Sequence, residues 1–200
     1  MSDEKLCIDY RQLESLYGPL AESIRRLVDV SIRTEADPTT VAAVKDKIDG
    51  VVSELGASAH PGTFGVQLTP DGQTIAWGNA VVGLRNPVAP PLVLHHEPDG
   101  LVWSEFVLGA PYEGPPEHVH GGVSALILDH VLGATAHRAG RPAYTGTLTL
   151  RYRRRTALGR QLRAQAHIER TEGVKTFAVG HLADDEGVTV EAEGVFIHKR

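Results

Sequence analysis

One stretch of the chain, residues 117–137, combines a carboxylate, histidines and two adjacent glycines in a way that can support chemistry. Its core, residues 123–136, is apolar almost all round, which predicts a buried helix. Asp129 interrupts this apolar run, and burying an ionised side chain is costly unless the charge is paired or used. Gly121 and Gly122 open the helix, where uncovered backbone N–H groups stabilise negative charge on a ligand oxygen. The stretch therefore predicts an anion-stabilising helix N-terminus and a functional acid in one element.

The composition describes a single globular domain of ordinary size with an N-terminal appendage. The chain has 200 residues, 42% hydrophobic content and a net charge of -5, which disfavours a general nucleic-acid-binding protein. Cys7 is the only cysteine, so we expect neither a disulfide framework nor a thiolate zinc site. The first residues contain no long apolar run, so we predict no signal peptide, no membrane span and a cytoplasmic location.

The elements that position this stretch begin with two predicted helices. Apolar residues recur at spacings of three and four through residues 10–55, and a polar break at residues 34–38 divides them. Asp37 before Pro38 is typical of a helix cap followed by proline at the first helical position. We interpret residues 1–60 as a helical extension that packs on the domain or on a partner subunit.

The remaining residues, 61–200, are predicted to form the functional domain. A connection rich in glycine and proline leads to a hairpin that turns at Asp99-Gly100, and the long helix follows. Four strands come after it, at residues 144–155, 161–171, 175–182 and 188–198. The predicted fold is α+β, with an antiparallel sheet wrapped around one long buried helix.

In the first of these four strands, simple alternation predicts two faces. Leu148, Leu150 and Tyr152 fall on one face, while Thr145 falls on the other with Thr147, Thr149 and Arg151.

This layout resembles the hotdog-fold acyl-CoA thioesterases, most closely the branch of the phenylacetate-pathway and THEM-type thioesterases. The resemblance covers roughly residues 86–199. It rests on an ordered set of motifs: His120-Gly121-Gly122, Asp129, Thr145, and residues 152–154, 158–159, 172–176 and 190–196. The family usually has proline where Arg155 stands in this chain, and the helical extension lies outside the shared domain.

The resemblance implies hydrolysis of an acyl-CoA to a free acid and coenzyme A, without a metal or redox cofactor. The backbone N–H groups of Gly121 and Gly122 would stabilise the oxyanion of the tetrahedral intermediate. Asp129 would either activate water as a general base or attack the acyl carbon as a nucleophile, and the sequence leaves both roles open. The alternatives without a catalytic role are a glycine pair that only permits a tight turn and an aspartate that only makes a structural hydrogen bond.

Spacing on the helix predicts how such a site is assembled. Asp129 lies eight residues after Gly121, which is about 12 Å along a helix axis. One carbonyl cannot contact both positions, so the site must combine the helix N-terminus of one subunit with Asp129 of another. The side-by-side pairing of sheets in the hotdog family implies the same arrangement, as a homodimer or a dimer of dimers.

Further residues receive supporting roles. His120 is predicted to help bind the acyl carbonyl or to orient the loop, and Thr145 to position the water or the acid. His130 adjoins Asp129, but neighbours on a helix point in different directions, so we interpret it as a packing or interface histidine.

A basic run supplies candidates for binding the phosphates of coenzyme A, because arginine forks suit phosphate oxygens. Arg151, Arg153, Arg154, Arg155 and Arg160 form it. The resemblance favours Arg153, Arg154 and Arg155, together with Lys175 and Thr176. The alternative for any one arginine is a solvated basic edge that deters strand pairing.

Three other functions fit parts of the pattern. A non-catalytic acyl-CoA or lipid carrier would use the same fold and retain its ligand. A hotdog dehydratase or hydratase would need a histidine and an acid placed differently from Gly121, Gly122 and Asp129. A small metal-dependent hydrolase would use Glu117, His118, His120 and His130 as ligands.

Overall fold

The largest element is a six-stranded antiparallel sheet, seen in a computed structural model that describes residues 10–68, 74–90, 92–137 and 142–199. The strand order across this sheet is β3-β4-β6-β7-β8-β5. Its strands are β3 (His95–His96), β4 (Val102–Val107), β5 (Ala143–Tyr152), β6 (Gln161–Glu172), β7 (Lys175–Asp184) and β8 (Gly187–His198). The two strands that precede it, β1 (Gln67–Leu68) and β2 (Thr74–Ile75), form a separate antiparallel pair. The predicted hairpin at residues 98–100 joins β3 to β4.

The long helix α3 (Gly121–Ala136) packs across one face of the sheet, which confirms the predicted fold. Its residues Ile127, Leu128, Val131 and Leu132 are completely buried against the sheet. Gly194 of β8 allows this close packing, because a Cβ atom there would lie 3.1 Å from Leu132 and 2.5 Å from Phe196.

Burial of α3 is one-sided within the described chain, whereas the sequence predicts a buried helix that is apolar almost all round. Leu126 is 39% exposed and Asp129 is partly exposed, because a single sheet covers only one side of the helix. Packing within the described chain therefore does not explain why the side of α3 that faces away from the sheet is also apolar.

The N-terminal extension contains the two predicted helices, α1 (Tyr10–Arg33) and α2 (Pro38–Gly56). The side chain of Asp37 accepts hydrogen bonds from the backbone N–H groups of Thr39 and Thr40 at 2.9 and 3.1 Å, which confirms the predicted cap. Helix α1 packs against the domain through Ala21, whereas no residue of α2 is buried. The proposed boundary near residue 60 stays a prediction.

None of the helices in the described part of the chain combines the length and hydrophobicity that crossing a membrane requires.

Candidate active site

Helix α3 begins with a histidine cap. His120 has an extended backbone, with φ -60° and ψ 132°, and its Nδ1 accepts a hydrogen bond of 2.9 Å from the Gly122 N–H. Since Nδ1 is an acceptor in this contact, the neutral ring carries its proton on Nε2. The predicted orienting role of His120 therefore has a geometric basis, and the Gly122 N–H is already engaged within the chain.

Gly121 differs from Gly122 in this respect. Its N–H donates no hydrogen bond to another residue in the described part of the chain. Its carbonyl accepts a hydrogen bond of 2.8 Å from the hydroxyl of Tyr152 at the end of β5. Gly121 lines a cleft of about 380 Å³ together with Ser124, Tyr152, Arg154 and Arg155. An available donor at the helix N-terminus thus faces a cleft that basic side chains border.

The loop before α3 is held by backbone hydrogen bonds on both sides. The N–H of His120 donates to the carbonyl of Tyr112 at 2.9 Å, and the N–H of Val119 donates to that of Thr156 at 2.9 Å. Gly114 packs directly against His120, since a Cβ atom at Gly114 would lie 2.7 Å from the His120 Cα. These contacts fix the direction in which the Gly121 N–H points.

Asp129 lies on the wall of a second cleft, which has a volume of about 690 Å³. The Thr145 hydroxyl donates a hydrogen bond of 2.9 Å to Asp129 Oδ1. Gly121 does not border this cleft and Asp129 does not border the first one. The predicted oxyanion donor, Gly121, and the predicted acid, Asp129, therefore border different clefts of the same chain.

Thr145 lies on the helix side of the sheet, which corrects the predicted alternation. The pairing of β5 with β8 is irregular between Thr145 and Thr147, with Gly146 as the additional residue. Thr145 pairs with the buried Phe196, whereas Thr147 pairs with Val195. Because a β-bulge reverses the side-chain alternation, Thr145 shares the face of Leu148 and Leu150 and reaches Asp129.

His130 borders the same cleft as Asp129, although sequence reasoning separated the two residues by their directions on the helix. Burial lowers the pKa of His130, and the charge of Asp129 partly opposes this shift. The imidazole is therefore neutral at neutral pH.

The metal-ligand alternative has no geometric basis in the described residues. Among them, no three histidine, cysteine or acidic side chains come close enough together to hold a metal ion. The four proposed ligands, Glu117, His118, His120 and His130, are among the residues to which this applies. The ring of His118 instead contacts the Pro116 carbonyl at 2.7 Å.

Most arginines of the basic run form ion pairs within the chain. Arg151 pairs with Glu193 at 2.6 Å, and Arg153 pairs with Glu191 at 2.7 Å. Arg160 contacts Asp185 at 3.1 Å and Glu186 at 2.6 Å.

Arg154 and Arg155 differ although both border the Gly121 cleft. Arg154 binds the carboxylate of Asp184, whose side chain is only 1% exposed, and donates to the Gly187 carbonyl at 2.7 Å. Arg155 is exposed and forms no ion pair with the residues that the structure describes. Arg155 is therefore the member of the run whose charge is available to a ligand.

Lys175 and Thr176 lie at the other end of the sheet. Lys175 pairs with Ile197, which in turn pairs with Tyr144 at the start of β5. The rise per strand residue puts this position about 30 Å from Arg154 in the same chain. A single subunit cannot present both groups to one coenzyme A phosphate.

The prediction that Thr176 binds coenzyme A does not fit the structure. Thr176 is 1% exposed, and its hydroxyl contacts His198 Nε2 at 3.0 Å in the interior. Alternation along β7 turns this residue towards the core, which the turn motif alone does not reveal.

Comparison with known proteins identifies the family. A family model of the thioesterase superfamily matches residues 117–191. A solved structure of protein RHA08564, a thioesterase superfamily protein, is 33% identical, with a TM-score of 0.80 over 90% of this chain and 94% of that chain. The chain belongs to the thioesterase superfamily and has its hotdog fold.

Curated relatives match a shorter part of the chain. The human acyl-coenzyme A thioesterase THEM5 is 28% identical over 94 residues, which cover 46% of this chain and 38% of the relative. Acyl-coenzyme A thioesterase THEM4 of Xenopus laevis is 34% identical over 94 residues, which cover 46% of this chain and 42% of the relative. The aligned part of the chain thus spans about two fifths of the length of these relatives.

The difference between Arg154 and Arg155 predicts different effects on stability. The hydrogen bond from Arg154 lowers the pKa of Asp184, so the pair stabilises the fold above the ordinary aspartate pKa and loses this contribution as the pH falls. Arg154→Ala should lower the melting temperature by roughly 4–8 °C at neutral pH, because it leaves a buried carboxylate without its partner. The difference from the wild type should begin to shrink near pH 4, where the aspartate of the unfolded chain takes up a proton. It should shrink further as the pH falls through the lowered pKa of Asp184.

The matched control is Arg155→Ala, which should change the melting temperature by less than about 2 °C at either pH. Differential scanning calorimetry measures both variants. A deficit of Arg154→Ala that stays constant down to pH 3 would contradict the assignment to Asp184.

Proposed function

We propose that the protein is an acyl-CoA thioesterase that hydrolyses an acyl-CoA to a free acid and coenzyme A. The observation that carries the proposal is the Thr145–Asp129 hydrogen bond at the wall of a cleft. It orients a carboxylate whose second oxygen accepts no side-chain hydrogen bond from the described residues, which leaves that oxygen for water or for an acyl carbon. The matches to acyl-coenzyme A thioesterases support the same reaction.

Two routes through Asp129 are consistent with this geometry. As a general base, the carboxylate takes a proton from water while the hydroxyl attacks the carbonyl carbon. As a nucleophile, a carboxylate oxygen forms a mixed anhydride that water then hydrolyses. In both routes the C–S bond breaks, and the coenzyme A thiolate leaves and takes up a proton. Thr145 is a positioning residue in either case, because its contact is with the carboxylate.

Gly121 is the proposed oxyanion donor. Its N–H is available, whereas the Gly122 N–H donates to His120, so Gly122 contributes through the backbone shape that holds this cap. The rigid helix keeps Gly121 about 12 Å from Asp129 of the same chain. The donor that acts with one Asp129 therefore comes from a partner subunit, and each dimer holds two composite sites.

The edge of the sheet supports this homodimer. Strand β5 is last in the strand order, and no described strand covers its outer edge over ten residues. A long uncovered edge strand is a template for pairing with another chain. Pairing β5 with its copy would join the two sheets and bring two α3 helices side by side, covering the half-exposed side of each helix. Two such dimers can associate further through other surfaces.

Arg155 and Arg154 border the Gly121 cleft and are the proposed contacts for the coenzyme A phosphates. Arg155 offers a free guanidinium, whereas Arg154 is held in place by Asp184. Arg153 is paired with Glu191 and would have to exchange this partner to bind phosphate. We also propose a cytoplasmic location, since a chain with one cysteine needs no oxidising compartment to form an internal disulfide.

Hydrolysis should depend on Asp129 and, less strongly, on Thr145. A panel of acyl-CoAs with a thiol reagent should show release of coenzyme A by the wild type. Asp129→Asn should lower kcat by about 100 to 10000-fold, the usual contribution of a positioned acid or base. Thr145→Val should lower it by about 10 to 100-fold, because it removes one hydrogen bond to a charged group. Tight retention of acyl-CoA without thiol release would instead indicate a carrier.

The donor role of Gly121 can be tested by deleting a single N–H group. Gly121 is the first residue of α3, where proline is well tolerated, and the extended His120 is compatible with a following proline. Gly121→Pro should lower kcat by about 100 to 1000-fold, the cost of losing an oxyanion donor. Gly121→Ala adds a similar steric load beside the Tyr152 hydroxyl but keeps the N–H, and it should retain most of the activity. Equal losses in the two variants would show that crowding, and not the donor, matters.

A shared site predicts complementation between two inactive variants. Asp129→Asn and Gly121→Pro place their defects in different halves of the composite site. After unfolding and refolding as a mixture, half of the dimers carry both chains, and each of these has one intact site. The mixture should therefore recover about one quarter of the wild-type activity. Activity that stays at the level of the separate variants would place both groups in a site within one subunit.

A further inference from the structure

The cleft beside Asp129 has two walls of different origin. One wall belongs to the shared domain, where polar residues such as Asp129 and His130 lie beside small or apolar residues of α3, β5 and β8. The small or apolar residues include Gly133, Ala134, Ala143 and Phe196. The other wall includes Val66 and Ala76, which precede the part of the chain that the family model matches. We call the two stretches that carry these residues, 64–68 and 74–77, the strap.

The strap is a paired structure in contact with the domain. Gln67 pairs with Ile75 across the β1–β2 ladder, so Val66 and Ala76 both follow this pair at the same end of the ladder, one on each strand. Ile75 is 7% exposed and anchors the strap in the interior. The wall beside Asp129 is therefore a defined surface and not an incidental approach of a loop.

An aromatic cluster ties both ends of the strap to helix α1. Phe64 stacks on Trp77 with ring centroids 6.1 Å apart, and Tyr10 meets Trp77 edge-on at 6.2 Å. The guanidinium of Arg85 lies 3.5 Å from the ring centroid of Tyr17 and 5.3 Å from that of Phe64. Each wall residue is thus one or two positions from a residue of the cluster, which limits its movement.

The proposed site indicates which part of the substrate the wall formed by the strap faces. In the proposed site, the coenzyme A phosphates lie near Arg155 of one subunit, and the thioester carbonyl lies between Gly121 of that subunit and Asp129 of the other. The acyl group must continue away from the phosphates, and the cleft beside Asp129 is the space on that side. Its volume of about 690 Å³ falls within the range of small-molecule sites.

We propose that the strap closes the acyl-binding cleft and limits the length of the acyl group that the protein accepts. Val66 and Ala76 are specificity-determining residues in this arrangement, and α1 holds them in place through the aromatic cluster. The inference rests on the proposed acyl-CoA thioesterase function, but it concerns binding and can be measured without turnover.

The test measures binding of S-alkyl-coenzyme A thioethers, from ethyl to dodecyl, by isothermal titration calorimetry. These probes carry no thioester carbonyl, so thioester hydrolysis cannot consume them. For the wild type, Kd should fall by about fourfold for each methylene buried, and then level off at the length that meets the strap. Ala76→Leu should move this limit to shorter chains without changing the affinity for the ethyl thioether. Val66→Ala, at a position that is 70% exposed and tolerant of change, should move the limit to longer chains.

The matched control is Val93→Ala, a change at another exposed valine that borders neither cleft. It should reproduce the wild-type limit. The same limit in the wild type and in both strap variants overturns the inference, and it does so whether or not the wild type hydrolyses acyl-CoAs. Absence of turnover with every acyl-CoA, combined with strap-dependent binding limits, would contradict the thioesterase and support the strap. Failure of the wild type to bind any thioether overturns both.

Discussion

The rigid length of α3 is the constraint on which the rest of the structure depends. Hydrogen bonds along the helix keep Gly121 and Asp129 apart, and burial of Ile127, Leu128, Val131 and Leu132 fixes the helix on the sheet. Neither group can approach the other, so chemistry that needs both must involve a second helix. The two separate clefts, one at Gly121 and one at Asp129, are the visible result of this separation.

The bulge at Gly146 determines how the acid is oriented. Without the irregular register, Thr145 would share the outer face with Thr147 and could not reach the helix. With it, a polar side chain enters the helix side of a strand whose next residues there are Leu148 and Leu150. The close approach of Gly146 to β8, where a Cβ atom would lie 3.0 Å from Ile197, suits a residue without a side chain.

The arginines of the basic run differ in whether a carboxylate of the described chain already binds the guanidinium group. Carboxylates of β7, β8 and the turn between them engage Arg151, Arg153, Arg154 and Arg160. Surface ion pairs contribute little to stability, but they hold guanidinium groups in defined positions. The pair with Asp184 is different because that carboxylate is almost fully buried. Arg155 is the arginine of this run that the described carboxylates leave unpaired.

The sequence by itself determined the order of helices and strands, the cap at Asp37, the hairpin at residues 98–100 and the position of Asp129 in an apolar helix. These features depend on local periodicity, capping and turn chemistry, which neighbouring residues carry. Only the tertiary structure decided that Thr145 faces Asp129, that Thr176 is buried and that the Gly122 N–H is already engaged by His120. It also decided that Val66 and Ala76 border the Asp129 cleft. Such contacts depend on strand register and on residues far apart in the chain. A one-residue change of register turns a side chain to the other face of the sheet, and the local sequence pattern hardly changes with it.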